Sequence, residues 1–371
     1  MKTKILNLYI FKESLIFFIL GLSIFTFVLL IGNILKLMDI IAGKGVGFLD
    51  IIRLFLYFLP YVLVFTIPMA FLLALLLTFG RLSSENELIA LKSSGLSLYQ
   101  LTGPVAVLAV ITFILTTFLS LFALPWGNVS LRKQLFHLVR TRAEVGINEG
   151  VFNDDFTGLI IYIQRRSSED GKMEGIFLSD TRDLGTPTTV LAREGYLRSD
   201  PERYRLTLHL TDGSIHQISK DLLSYHQINF GDYQLKLTLG DGEEGGRKRY
   251  QDMTLSELRE AAGRLRQEGQ NFSFPLMELH KRFAIPFACL IFALIGVPLG
   301  IQPPRSGRSR SFSISLALLF VYYLLLVGGR SLGEKGFLPP FLAMWIGNIV
   351  FVAFGFVLFY RVANEKRLIR K

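Results

Sequence analysis

Six stretches of the chain are apolar for about the length that crosses a hydrocarbon core of about 30 Å, which takes roughly 20 helical residues. They fall near residues 14–37, 52–79, 101–124, 280–301, 311–330 and 339–360. The first is longer than an ordinary signal core and no small-x-small cleavage pattern follows it, so it reads as a retained helix. Between the third and fourth stretches the pattern changes. From Pro125 to Pro275 apolar residues alternate with polar ones: Tyr204, Leu206, Leu208 and Leu210 share one side of a strand, Arg205, Thr207 and His209 the other. Short runs at Leu159–Ile163, Thr189–Leu197, Gln227–Phe230 and Gln234–Leu239 repeat it, and Thr211-Asp212-Gly213 and Phe230-Gly231-Asp232 read as turns between strands. An all-β domain is expected over 125–253. Thr254-Leu-Ser-Glu257 has capping-box spacing and opens a connecting helix over 254–275. The expected fold class is an α-helical membrane protein with six transmembrane helices, three in 1–124 and three in 276–371, around an inserted all-β domain.

Composition agrees with a membrane protein: of 371 residues 51% are hydrophobic and 32 are Phe, too apolar for a soluble chain of this size. The formal charge of +10 raises nucleic acid as a partner, but no basic-aromatic interleaving occurs, and Lys and Arg cluster beside apolar segments, where anionic lipid explains them. Counted over short loops, they put both termini inside. Lys2, Lys4, Lys12, Arg81, Lys92, Arg305, Arg308, Arg310, Arg361, Lys366, Arg367, Arg370 and Lys371 then lie on the cytoplasmic side, against Lys36, Lys44, Arg53, Arg330 and Lys335 outside, where the β domain also faces. The single cysteine, Cys289, builds neither an intrachain disulfide nor a cysteine-rich metal site.

No Gly-x4-Gly-Lys-Ser/Thr loop is present, so any ATP use belongs to a partner. No His-Glu-x2-His, Gly-x-Ser-x-Gly or paired Cys-x2-Cys occurs, and an enzyme is not expected. The most informative polar element is Gly80-Arg-Leu-Ser-Ser-Glu-Asn-Glu-Leu-Ile-Ala-Leu-Lys-Ser-Ser-Gly95, which predicts a short helix near 84–94 between spans two and three. Ser84 and Glu87 have capping-box spacing, Leu88 and Leu91 share a face, and Gly95 is placed to end the helix. Spacing serves two readings equally: a helix that docks in a groove of a soluble partner, or a solvated helix whose Glu87 caps its own start. Lys36 and Arg330, at the outer ends of spans one and five, suit lipid phosphates or plain snorkelling to the interface. Prolines 60, 68, 286 and 298 interrupt spans two and four, as hinges or static kinks.

Three blocks resemble the LptF/LptG permease family of lipopolysaccharide export: Ile67-Pro-Met-Ala70 through Gly95; Glu278-Leu-His-Lys-Arg-Phe-Ala-Ile-Pro-Phe-Ala288 through Gly296-Val-Pro-Leu-Gly300; and Gly329-Arg-Ser-Leu-Gly-Glu-Lys-Gly336 with Leu338-Pro-Pro340 and Ala343-Met-Trp345. The resemblance implies a six-helix inner-membrane subunit with a periplasmic β-jellyroll, paired with a homologous LptF/LptG subunit and driven by a cytoplasmic LptB ATPase dimer that uses the ATP and Mg. This chain would bind no cofactor itself. Lipopolysaccharide would pass to LptC and a periplasmic LptA-type bridge. The 84–94 segment would be the coupling helix, with Glu85, Glu87, Leu88 and Leu91 toward the ATPase and Glu87 paired to a basic residue there. Lys36 falls where relatives carry a cation facing lipid phosphate, while Asn33, where some have Lys, departs from the pattern and shifts weight to Arg330 or the partner subunit. Three rival readings of the topology are a permease of another ABC-type lipid or lipoprotein exporter, a membrane receptor with a periplasmic sensor, and an integral membrane enzyme, which the lack of paired ionisable groups within the spans disfavours. The receptor would need a cytoplasmic output domain, and only eleven residues follow Tyr360.

Overall fold

The computed structural model describes every residue except 1, 42–47, 147–148, 157, 168–170, 182–187, 201–204, 219–224, 238–248, 302–307 and 369–371. The chain divides into two compact units: residues 1–129 with 249–371, and residues 130–248.

The first unit holds α1 (Lys2–Ile41), α2 (Phe48–Ser84), the short α3 (Glu87–Ser93), α4 (Leu98–Phe118), α6 (Leu255–Gln267), α7 (Ser273–Gly300), α8 (Arg308–Glu334) and α9 (Pro340–Leu368). Among the described residues, six helical stretches are long and apolar enough to span a membrane: Lys4–Gly32, Leu49–Ser84, Tyr99–Leu135, Ser273–Gly300, Ser311–Glu334 and Pro340–Val362. They coincide with the six stretches read from hydropathy. The third does not stop near 124. A π-turn at Leu119–Ala123 leads into α5 (Leu124–Gly146), and the first strand begins at Phe152.

Helices α2 and α7 are the buried centre, and α1 and α8 turn most of their surface outward. Lipid tails are as apolar as Leu, so helices here associate by close packing, which small residues permit. Gly296 and Gly300 seat α7 on α2: a Cβ on Gly296 would lie 2.9 Å from Leu75 Cβ, and one on Gly300 2.5 Å from Phe79 Cβ. Gly329 of α8 does the same against the backbone carbonyl of Ala343 in α9, whereas Gly328 faces open space. Gly329→Val is therefore expected to pry α8 from α9 and cost about 3 kcal/mol. Gly328→Val is the control. The apparent melting temperature of the two variants in detergent checks this, and equal melting would refute it.

Two tyrosines of α8 serve backbone carbonyls near the prolines of the central pair. Tyr323 donates to the Phe65 carbonyl at 3.1 Å, three residues before Pro68. Tyr322 donates to Asn348 Oδ1 at 2.8 Å, and Asn348 Nδ2 donates to the Ala284 carbonyl at 2.9 Å, two residues before Pro286. Kinked backbone in lipid needs such donors and acceptors from neighbouring helices.

The second unit carries one antiparallel sheet of six strands, β1 (Phe152–Phe156), β2 (Leu159–Arg166), β3 (Met173–Asp180), β4 (Thr188–Asp200), β5 (Arg205–Ile218) and β6 (Tyr225–Leu237), in the order β1-β2-β3-β4-β5-β6. The expected β domain is present. A jellyroll interleaves strands between two sheets, whereas each described strand here pairs with its chain neighbour in a meander. Leu159, Ile161, Ile163, Leu178, Val190, Leu208 and Leu210 are fully buried in its core. Leu208 and Leu210 thus face inward as the alternation predicts; Tyr204 and the side chain of Leu206 lie outside the described residues.

The presumed turns 211–213 and 230–232 are not chain reversals, because both lie inside long strands. They belong to a crease that crosses the sheet. On each of four strands the core-facing positions stride by three instead of two: Met173 to Ile176, Ala192 to Gly195, Leu210 to Gly213 and Phe230 to Tyr233. These positions pair with one another across the sheet, so the crease runs straight through the ladder. Gly175 and Asp212 on this line have φ of 65° and 52°, the left-handed region that re-aims a strand. A shallow concavity of about 360 Å³ lies along it, lined by Tyr162, Phe177, Leu191, Arg193 and Asp212.

Candidate functional site

The site forms where α2 ends. The Glu85 amide still reaches the Arg81 carbonyl at 3.0 Å, and then Asn86, with φ 61°, reverses the chain and starts α3 at Glu87. Ser84 does not cap this helix. Its hydroxyl donates to the Arg81 carbonyl at 3.0 Å, because Ser84 is still the last residue of α2. The expected Ser84–Glu87 capping box is therefore not formed, whereas the one at Thr254–Glu257 is. Gly95, φ 92°, ends α3 as its position predicts: the Leu96 amide bonds the Leu91 carbonyl and the Gly95 amide the Lys92 carbonyl, the paired closure that a left-handed residue after a helix permits.

Leu88 is buried in the core of the membrane unit and Leu91 packs against it. These two hold α3 down, and the exposed residues of the segment are Glu85, Asn86, Ile89, Ala90, Ser93, Ser94 and Gly95. Glu87 lies at the edge of that surface, engaged from below. The Tyr9 hydroxyl of α1 donates to its two carboxylate oxygens at 2.9 and 3.2 Å. Arg81 is the hub: its Nε lies 2.7 Å from Glu13, Nη1 2.9 Å from Glu85 and 4.0 Å from Glu87, and Nη2 donates to the Tyr9 hydroxyl at 2.6 Å. Three carboxylates around one guanidinium leave this corner negative, and α1, α2 and α3 are joined in it. Such a surface suits a basic partner. Tyr9 and Glu13 escape a reading of the 80–95 segment, although they stand four apart, on one face of a helix about to become apolar.

The other predicted positions lie elsewhere. Arg330 on α8 is exposed and its Nε meets Glu334 at 2.7 Å, so its charge is already engaged within its own helix. The side chain of Lys36 lies outside the described residues.

Six apolar spans, an inserted antiparallel β unit and a short helix pinned beside three carboxylates at the end of a span define a multi-pass membrane protein. Residues 8–361 match the profile of the lipopolysaccharide export system permease LptF/LptG. The chain belongs to that family, and is by that membership a permease of lipopolysaccharide export. It is 27% identical over 298 residues to the lipopolysaccharide export system permease protein LptF of Escherichia coli K12, covering 79% of this chain and 77% of that protein. The LptF protein of Shigella flexneri shows the same figures. An uncharacterized protein of Rickettsia prowazekii, RP871, is 28% identical over 189 residues, 51% of this chain and 52% of its own length.

Proposed function

We propose that this chain is the LptF-type half of an ATP-driven exporter in the inner membrane, which extracts lipopolysaccharide from the outer leaflet and passes it to a periplasmic bridge. The observation that carries the reading is the acidic α3 site within a chain that matches the permease family over nearly its whole length. The partners are a homologous permease, an LptB-type ATPase dimer that binds ATP and Mg, and LptC and LptA-type proteins that receive the lipid. The chain itself holds no nucleotide or cofactor and hydrolyses nothing. Both termini and α3 face the cytoplasm and the β unit faces the periplasm, in accord with the Lys and Arg asymmetry.

In this mechanism lipid enters sideways between the two permeases, acyl chains against apolar helix faces. Removing acyl chains from the bilayer costs about 0.8 kcal/mol per CH2, so extraction must be driven from outside the chain. ATP-driven closure of the ATPase pushes on Glu85, Ile89 and Ser93. Leu88 carries the push into the core, and Arg81 carries it to α1.

The test uses proteoliposomes with this chain, its partner permease and the ATPase, reading ATP hydrolysis and lipopolysaccharide released to a periplasmic acceptor. Glu87→Ala is expected to lower release about tenfold while the complex still forms. Tyr9→Phe keeps the carboxylate and removes its internal donor together with one acceptor of Arg81, so it is expected to keep most of the release. Equal losses in the two variants would assign Glu87 to the α1 contact and not to the ATPase. A wild-type complex that hydrolyses ATP and releases no lipopolysaccharide would turn the reading toward another lipid or lipoprotein cargo.

A further inference from the structure

The block Glu278-Leu-His-Lys-Arg282 takes no part in the α3 site, yet it contains the largest fully buried side chain of the described residues. Arg282, in the third turn of α7, is 1% exposed. Its Nη2 donates to the Gln251 carbonyl at 3.1 Å and reaches the Tyr250 carbonyl at 3.5 Å. These residues form the short turn Tyr250–Asp252, just past Lys248, where the chain leaves the β unit. The same Gln251 carbonyl accepts from Asn128 Nδ2 at 3.2 Å, and Asn128 stands next to Val129, where the chain departs for the β unit. One carbonyl thus holds both crossings, 123 residues apart, and Arg282 fastens it to α7.

A buried guanidinium is costly unless acidic groups compensate it. Here the compensating charges are Glu278, 6% exposed, with Asp252, 7% exposed, and Glu257. Arg282 Nε and Nη1 find no hydrogen-bond partner among the described residues, so the side chain is not placed for full satisfaction of its donors. Its position makes sense beside two soft points. Pro286 follows four residues later, so the carbonyl that loses its helical donor is that of Arg282 itself. On the outbound side the π-turn Leu119–Ala123 ends five residues before Asn128. Between these points the crossing is held hard against α2: Trp126 meets Tyr57 edge-on at 5.5 Å, and a Cβ on Gly127 would lie 2.5 Å from the Tyr57 carbonyl.

We propose that Arg282 is a positioning residue that binds both chain crossings of the β unit to α7 as one collar, so that bending of α7 at Pro286 carries the two crossings together. The inference rests on the export reading and adds to it that α7 moves during each cycle, the collar linking that movement to lipid hand-off.

The test compares wild type, Arg282→Met, Arg282→Lys and Asn128→Ala in proteoliposomes of the full complex, as lipopolysaccharide released per ATP hydrolysed. A mere folding defect lowers both rates and leaves their ratio intact; a loosened collar lowers the ratio. Arg282→Met is expected to assemble, keep its ATPase and release about fivefold less lipid per ATP, with Arg282→Lys in between and Asn128→Ala lower than wild type. Wild-type ratios in Arg282→Met and Asn128→Ala overturn the collar. If Arg282→Met does not assemble, the ratio of Asn128→Ala decides alone. A wild-type complex that hydrolyses ATP without releasing lipid sinks the export reading instead. The collar is then judged by hydrogen exchange at the Asp252 and Met253 amides, which bond the Arg249 and Tyr250 carbonyls at 2.9 and 3.4 Å. Their exchange is expected to respond to ATP in wild type and not in Arg282→Met, and amides indifferent to ATP in wild type overturn the proposal.

Discussion

Leu208→Asp is expected to unfold the β unit and leave the membrane unit folded. Leu208 is 0% exposed, and its neighbours across the ladder are Leu197 and Leu235 of the same core. Losing the buried leucine costs about 3 kcal/mol, and an unpaired carboxylate in its place adds several more. The sum matches the about 5–15 kcal/mol that holds a typical domain together. The two units have separate cores, so the damage stays where it is made. Limited proteolysis of the full chain in detergent reads this directly: cleavage is expected throughout 130–248, with the fragments 1–129 and 249–371 protected. Gln234→Ala, on the exposed side of β6, is the control and is expected to digest like wild type. A Leu208→Asp protein as resistant as the control would mean that the inward face has been assigned wrongly.

The second large effect is at Arg81. Arg81→Leu removes the cation that lies among Glu13, Glu85 and Glu87, and with it the side chain that joins α1 to both acidic residues flanking Asn86. Hydrogen bonds to charged groups are worth about 1.5–3 kcal/mol each, less here because the carboxylates are partly exposed. The expected result is a complex that assembles, hydrolyses ATP and releases lipopolysaccharide at least about tenfold more slowly. Arg81→Lys keeps the charge but not the planar fork that serves several partners at once, and is expected to fall between. Release at the wild-type rate from Arg81→Leu would remove the hub from the mechanism.

The helical half of the molecule is legible in its sequence because lipid imposes one rule along about 20 residues at a time. Each of the six spans overlaps its expected place, although the first begins earlier and the third runs on well past its expected end. What hydropathy does not carry is the middle of the third span, where Pro125 and polar residues look like the start of another domain although helix continues to Gly146. In the β unit the alternation correctly turns Leu208 and Leu210 inward, and misleads at Asp212 and Gly231. Residues that permit a reversal also permit a crease, and only the pairing partner tells them apart. The same limit applies at α3. Ser84 and Glu87 have the spacing of a capping box, but spacing does not reveal that α2 continues through Ser84 and that Tyr9, 78 residues away, supplies a donor to Glu87. Leu88 and Leu91 were legible as a face, but not which way the face turns: apolar pairs on a short helix go to the nearest core, and here that core is the helix bundle beneath.

The crease also governs where the protein's length is free to vary. It runs through β3, β4, β5 and β6 in register, with one residue of each strand left out of the ladder, at Gly175, Arg193, Asp212 and Gly231. Deleting a residue from one strand beyond that line would swap its inward and outward side chains there, while its neighbours stay as they are. Insertions and deletions in this unit are therefore confined to the segments between strands. The strands themselves must keep their count.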